Sequence, residues 1–413
     1  MKSLKFAWII IGGLISIFIF GCKPEEIILH GEISGIVTNA STNYPIQGAV
    51  ILLKEAGDTS SSMTNGTYLF KSLIPGTYEI NTSKSSFIPL TKIGRVVSAE
   101  TKIIDFPLIP LPKISVNFLD FGLDMTSLKF TISNPGNLKV TYVLINSKDW
   151  ITVNPSSGDV TSESDTLTVT INRTGLSDSL YKEQIEVVLA NEQFLRKETI
   201  KVYLNGVVDM EGNVYKIVKI GTQTWMAENL NIGMQVSRSY SHLDNGVIEK
   251  YCYADNKINC DIYGGLYEWR ETMQYSPLDA GIIGTTQGIC PVGWHVPTDS
   301  EWITLINYLG GNLLAGGKLK ESGTIHWISP NVATNESGFT ALPGGIISKN
   351  NLTECRCQNL GDVGIWWSSL FGYINLSNAS TYAIMNVGGN PPPPFEIENN
   401  GFSVRCIKDP PGK

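Results

Sequence analysis

Among the side chains able to do covalent, redox or metal chemistry, cysteine is the most informative in this sequence. Seven are present in 413 residues. Cys22 stands alone near the start, while Cys252, Cys260, Cys290, Cys355, Cys357 and Cys406 all lie beyond residue 250. An even number of thiols in an oxidising compartment points to disulfides, and six thiols allow 15 pairings, so their partners stay open at this point. Cys252 and Cys260 flank a polar turn, Tyr253 to Asn259, whose closure costs little entropy. Cys355-Arg356-Cys357 sets a guanidinium beside two sulfurs, where it favours a thiolate. Redox or copper chemistry there competes with ordinary bridging, so the pairing of Cys355 and Cys357 is left undecided.

The other reactive types are sparse. Four histidines (His30, His242, His295 and His326) leave little material for metal or acid–base sites. His295, between Trp294 and Val296, reads as a satisfied structural histidine rather than a base. Gly316-Gly317-Lys318 is not a phosphate loop, because Leu319 replaces the needed Ser/Thr and Asn312 the first glycine. Neither Gly-x-Ser-x-Gly nor His-Glu-x-x-His occurs. Calcium takes 6–8 oxygen ligands, and Glu396, Glu398, Asn399 and Asn400 read as a solvated loop rather than such a cage. No catalytic residue, cofactor or metal ligand is therefore expected. Trp366-Trp367-Ser368-Ser369 is the strongest candidate for binding. Adjacent side chains of a strand point to opposite faces, so one indole packs inward while the other is free to stack on a sugar or anchor a protein partner. The alternative is that both are core.

The elements carrying these residues begin with an apolar leader. Lys2 and Lys5 precede Phe6 to Phe20, fifteen residues without a charge, and Gly21-Cys22 closes the run. That length is short for a membrane span of about 20 residues but suits a signal core. Ile19-Phe20-Gly21-Cys22 resembles a bacterial lipoprotein signal, which implies removal of residues 1–21 and lipidation of Cys22. Lys23-Pro24-Glu25-Glu26 resembles the surface-export signal of Bacteroidetes lipoproteins. The implied location is the outer membrane, lipid-anchored and facing the cell exterior, with residues 22–29 as a tether. With 31 Lys+Arg against 38 Asp+Glu, the chain lacks the basic face that a nucleic-acid partner requires.

Three segments follow. Residues 30–110 alternate as a small all-β module, with Ala49 to Leu53 a buried strand run. Gly66-Thr67-Tyr68-Leu69-Phe70 and Gly76-Thr77-Tyr78-Glu79-Ile80 repeat one pattern ten residues apart, as adjacent strands joined through Pro75-Gly76 would. Residues 111–207 form a second β pattern, in which Leu128, Phe130 and Ile132 alternate into the turn Asn134 to Asn137, and Leu167, Val169 and Ile171 alternate later. Residues 208–409 change character, concentrating Trp, Gly, Cys and Asn. One helix is well signposted there: Thr298 caps it, Glu301 completes a capping box, and Trp302, Leu305, Ile306 and Leu309 share a face until Gly310-Gly311. Pro391 to Pro394 marks an exposed extended loop.

The first module, Gly35-x-Val37 through Pro45 and Gly48-Ala49 to Pro75-Gly76-x-Tyr78, resembles the carboxypeptidase-regulatory-like β-sandwich. The second, through Trp150-Ile151-x-Val153-x-Pro155 and Leu167 to Ile171, is similar to the BACON-type immunoglobulin-like domain; Trp150 is expected to be a core aromatic. In the third, seven ordered motifs resemble the Fibrobacter major-paralogous domain. They run from Trp225-Met226-Ala227-Glu228-Asn229-Leu230 to Ser403-Val404-Arg405-Cys406, by way of Trp366-Trp367-Ser368-Ser369. That resemblance implies a loop-rich α+β fold like those of C-type lectins and formylglycine-generating enzymes, and a bridge between Cys290 and Cys406. The expected architecture is thus multidomain: two all-β sandwich modules, then a loop-rich α+β C-type-lectin-like domain. The expected function is non-catalytic recognition of a glycan or surface protein by residues 208–409. The rivals are a purely architectural cell-envelope protein, or a formylglycine-generating-type enzyme using Cys355 or Cys357.

Overall fold

A computed structural model describes residues 29–276, 286–349, 355–370, 373–377, 383–386 and 399–410. Cys22, the leader, Pro391 to Pro394, Glu396 and Glu398 lie outside the described residues, as does the side chain of Cys355. Among the described residues no helix is long and apolar enough to cross a membrane. The chain divides into two compact units, one up to Leu111 and one from Pro112.

The first unit is a β-sandwich. In one sheet Gly31–Asn39 pairs with Thr67–Leu73 on one side and with Thr101–Ile103 and Phe106–Leu108 on the other. The second sheet runs Asp58–Ser61, Val50–Leu53, Gly76–Ser83, Leu90–Val96. The period-two pattern sends Ile33, Val37, Ile51, Leu53, Phe70 and Ile80 inward. Gly35 allows close approach: a Cβ there would stand 1.9 Å from the Ile104 carbonyl oxygen. One expectation is corrected. The repeated strands Thr67–Leu73 and Gly76–Ser83 are consecutive but not paired; Pro75-Gly76 carries the chain from one sheet to the other. A repeated Gly-Thr-Tyr pattern records that each strand sends a tyrosine to the core, not which strand it bonds.

The second unit begins with another sandwich. Its five-stranded sheet runs Phe118–Asp120, Leu195–Leu204, Tyr181–Ala190, Val140–Asn146, Ser157–Val160. Its four-stranded sheet runs Ile151–Asn154, Ser164–Ile171, Ser127–Ser133, Lys113–Ile114. Leu167, Val169 and Ile171 face Ile185, Val187 and Leu189 in one core, and Trp150 is half-buried edge-on to Tyr181, ring centroids 5.7 Å apart.

The chain does not loosen where this sandwich ends. Strand Leu195–Leu204 passes through Asn205 into Gly206–Val208, which opens the next sheet. The Asn205 amide donates to the carbonyls of Ser177 and Ser179, and its oxygen accepts from Arg173 at 3.1 Å. Arg173 also reaches the carbonyls of Phe121 and Gly122. The sandwich is therefore hydrogen-bonded into the base of the carboxy-terminal fold.

In that fold a five-stranded sheet is ordered Gly206–Val208, Val214–Ile220, Gln223–Met226, Ile407–Lys408, Trp294–His295, and a three-stranded sheet comprises Val363–Trp367, Tyr373–Ser377 and Ala383–Asn386. Helix Asp299–Tyr308 starts as expected: Thr298 Oγ1 accepts from Glu301 N at 3.2 Å, and Glu301 Oε2 from Thr298 N at 2.8 Å. It buries Trp302, Leu305, Ile306 and Leu309. Gly316 to Lys318 belong to helix Asn312–Leu319 rather than to a loop. Two large cores result, one under the helices around Trp225, Trp302, Trp327 and Trp366, the other around Trp269, Trp294 and Trp367, and a small third cluster gathers Tyr251, Leu266 and Ile347.

Candidate functional site

Strand Val363–Trp367 lies between those two cores. Its adjacent indoles do point to opposite faces, but both faces are interior: Trp366 is 0% exposed and Trp367 1%. Trp366 Nε1 donates to Asn229 Oδ1 and Trp367 Nε1 to the Tyr267 carbonyl, each at 2.7 Å. Trp367 also packs against Phe402, ring centroids 4.3 Å apart. Of the two readings of this pair, the exposed, stacking indole is thereby corrected, and the alternative, both indoles in the core, is what the structure shows. Alternation sets opposite faces, and here helices cover one face and looped chain the other.

Asn229 is a hub. Its oxygen also accepts from Arg405 Nε at 2.7 Å, and its amide donates to the Tyr263 carbonyl at 2.7 Å. Arg405 is fully buried, and among the described residues no carboxylate is ion-paired with it, although the Glu228 charge acts on it. It donates to the carbonyls of Met226, Phe339 and Thr340 and lies 4.2 Å over the Phe339 ring. Burial pushes its pKa down to about 9, so it stays charged at neutral pH. Carbonyl dipoles and a ring face hold the cation.

His295 is buried between two acids, Nδ1 2.6 Å from Asp409 and Nε2 2.9 Å from Glu301. Burial alone would lower its pKa, but the bonds and charges of Glu301 and Asp409 outweigh it and the net shift is upward. The ring ties the helix entrance to the last strand, a structural role. Cys290 and Cys406 are bridged, and so are Cys252 and Cys260. Cys357 is a free thiol, accepting from Arg238 Nη1 at 3.2 Å and Ala254 N at 3.1 Å. A local bridge from Cys357 to Cys355 is therefore not formed. Asn400 is tied by its side-chain oxygen to Lys349 N. Among the described residues, no group of three or more His, Cys, Asp or Glu is placed to hold a metal ion.

A second buried polar cluster surrounds helix Trp269–Thr272. Lys349 Nζ pairs with Glu268 Oε1 at 2.7 Å, the same oxygen that accepts from Tyr251 OH. Glu271 Oε1 accepts from Glu249 N at 3.1 Å and the Tyr275 hydroxyl acts on the same carboxylate, while His242 Nε2 is buried without a partner among the described residues. Glu271 is pushed up to about 7 by burial, with the charges of Glu249 and Glu268 adding to it. His242 is pushed down to about 3 by burial and the Lys349 charge.

One concave feature among the described residues is a cleft of about 550 Å³ at the base of the fold. Lys182 and Tyr203, cross-strand neighbours in the preceding sandwich, form part of its lining. Opposite them come Asn213 and Tyr215 from the hairpin, Glu228 to Asn231 after the second strand, and Asp261 on helix Lys257–Tyr263. The Cys252–Cys260 bridge anchors that helix. Asp209 organises the hairpin: its carboxylate accepts from Glu211 N, Asn213 N, Asn213 Nδ2 and Tyr215 OH, all between 2.8 and 2.9 Å. Tyr215 OH in turn accepts from Asn231 N at 3.0 Å. Sequence reasoning missed Asp209, Asn231 and Lys182. Only Asp209 carries a local signal, as the start of the turn Asp209 to Asn213.

Three family models match along the chain: the carboxypeptidase regulatory-like domain over residues 32–108, the viral BACON domain over 113–197, and the Fibrobacter succinogenes major domain over 218–408. Residues 218–408 match the Fibrobacter succinogenes major domain. Both cores and both bridges described above fall almost wholly within that major-domain match, while Lys182 and Tyr203 of the cleft fall outside it. Two solved structures with partial likeness are BcpA, the major pilin subunit of Bacillus cereus, and a putative carbohydrate binding protein from Bacteroides uniformis. The first is 12% identical over 48% of this chain and 82% of its own, TM-score 0.25; the second is 15% identical over 42% and 97%, TM-score 0.19. Neither likeness bears on what this chain binds. No curated protein matches the sequence.

Proposed function

We propose that this chain is an exported lipoprotein, anchored in the outer membrane through Cys22 and facing the cell exterior, whose carboxy-terminal domain recognises a glycan or a surface protein without catalysis. The observation that carries this reading is the polar cleft, a concave site of ligand size. Its hairpin wall is set by Asp209 and its helix by a disulfide, so the site is preformed. The test is a glycan array together with a panel of extracellular proteins, both probed with the full chain. Binding that Lys182→Glu removes, with the melting temperature unchanged, is expected. Failure on both arrays would transfer the case to the architectural reading, which the burial of Trp366 and Trp367 favours.

A further inference from the structure

Residues 239–247 form a surface loop between the paired strands Met234–Gln235 and Glu249–Lys250. Within the loop only His242 is buried, while Tyr240, Leu243 and Val247 stand out in solvent. So little buried apolar surface puts the loop at the low-stability end of the fold, and polar groups must hold it. The Tyr240 carbonyl accepts from Tyr251 OH at 2.6 Å and from Lys349 Nζ at 2.8 Å. The Leu243 amide donates to Glu249 Oε2 at 2.8 Å. The His242 ring lies on the Tyr251 ring, centroids 4.0 Å apart, and its Nδ1 accepts from Glu268 N at 3.4 Å.

Two of the groups in this cluster answer pH in opposite senses. An Nδ1 that accepts from an N–H is unprotonated, and the Lys349 ammonium already acts on the ring. Protonating His242 therefore breaks one of the loop's bonds and sets two cations together. Glu271 is the reverse case. Around it stand Glu249, Glu268 and the Tyr275 hydroxyl, and of the three buried carboxylates only Glu268 is paired with a cation, Lys349, among the described residues. Ionising Glu271 adds a negative charge beside Glu249, whose carboxylate holds Leu243 N and whose own amide donates to Glu271 Oε1. Opening the loop returns both groups towards water. The hold from His242 is present above 6.5 and lost as pH falls towards about 3; that from Glu271 is present below 4.5 and lost as pH rises through about 7. We infer that His242 and Glu271 form a compensating lock on residues 239–247, which keeps the loop shut from mildly acidic to mildly alkaline conditions where either group alone would release it.

The test is limited proteolysis of the full chain between pH 5 and pH 8. The first cut is located by mass spectrometry, and its rate is divided by that of a peptide of residues 237–250 cleaved under the same conditions. With opening and closing fast relative to cleavage, this ratio tracks the open population. In the wild type the ratio within residues 239–247 should change by less than about threefold over that range, because the two linkages oppose each other. Glu271→Gln leaves only the histidine to titrate and should be cut at least roughly tenfold faster at pH 5 than at pH 8. His242→Gln should show the opposite slope, at least roughly tenfold faster at pH 8 than at pH 5. His242→Phe keeps a ring on Tyr251 without a titrating group and should follow His242→Gln, which separates loss of titration from a packing defect of one substitution. A variant without a slope, slopes of the same sign in the Glu271 and His242 variants, a wild type as steep as either, or a first cut outside residues 239–247 would each overturn the inference.

Discussion

Replacing Glu271 by Gln should stabilise the protein above neutral pH and leave it unchanged in acid. Glu271 is 1% exposed, no cation is paired with it among the described residues, and the nearby ammonium of Lys349 is committed to Glu268, so burial outweighs the bonds from Glu249 N and Tyr275. Its pKa stands at about 7 against an ordinary 4.5. The folded state therefore prefers the protonated form, and the stability this gives is fully present below about pH 4.5 and lost as pH rises through about 7. At 1.36 kcal/mol per pKa unit the loss amounts to about 3 kcal/mol at pH 8. Gln presents a neutral group of the same shape and can still accept from Glu249 N, so Glu271→Gln should escape that loss. Denaturant unfolding followed by the buried tryptophans, at pH 4.5 and pH 8 with unchanged m-value, measures it. A variant destabilised at both pH values, or one that keeps the wild-type decline between them, would refute the reasoning.

The same burial acts in the opposite sense on His242. Held neutral down to about pH 3, it gives stability that is present above its unfolded value of 6.5 and lost as pH falls towards 3; His242→Gln should flatten the acid limb of the stability profile measured by the same unfolding. Trp366→Ala and Trp367→Ala should each lower stability by about 3–5 kcal/mol in denaturant titrations, because both leave large cavities; a variant that melts normally but loses binding would restore the stacking role. Cys406→Ser opens a loop of 116 residues and should cost about 4–5 kcal/mol in the chain-entropy picture, read as a fall in melting temperature. Cys22→Ser should abolish incorporation of a labelled fatty acid and release the protein from membranes; undiminished label would end the anchor assignment.

What could be read in advance was what depends on neighbours along the chain. Thr298 and Glu301 are three residues apart, so their reciprocal bonds are a local event. The alternation of Leu167, Val169 and Ile171 is equally local and does send all three into one core. The pairing of Cys290 with Cys406, by contrast, spans the whole domain and came from family likeness, not from residue spacing. For Trp366 and Trp367 the strand period gave opposite directions correctly, yet burial depends on what lies beyond each face, and that is decided by segments far away in sequence. Arg405 illustrates the same limit: a lone arginine reads as surface until three carbonyls and a ring converge on it.

The cleft was illegible for a related reason. Lys182, Asp209, Asn231 and Asp261 come from a sandwich strand, a turn, a loop and a helix, with no common spacing, and only the tight joint at Asn205 brings the first of them to the others. The conspicuous motifs of this domain are conspicuous because large aromatic and charged side chains must fit one another in two cores with few regular elements. Packing of that kind demands particular residues at particular places, and some of them also line the cleft: Ala227, Glu228 and Asn229 belong to the first motif, and Asn229 accepts from both Trp366 and Arg405. Lys182, Tyr203 and Asn231 lie outside the motifs, so the lining can change at those positions without disturbing the hub.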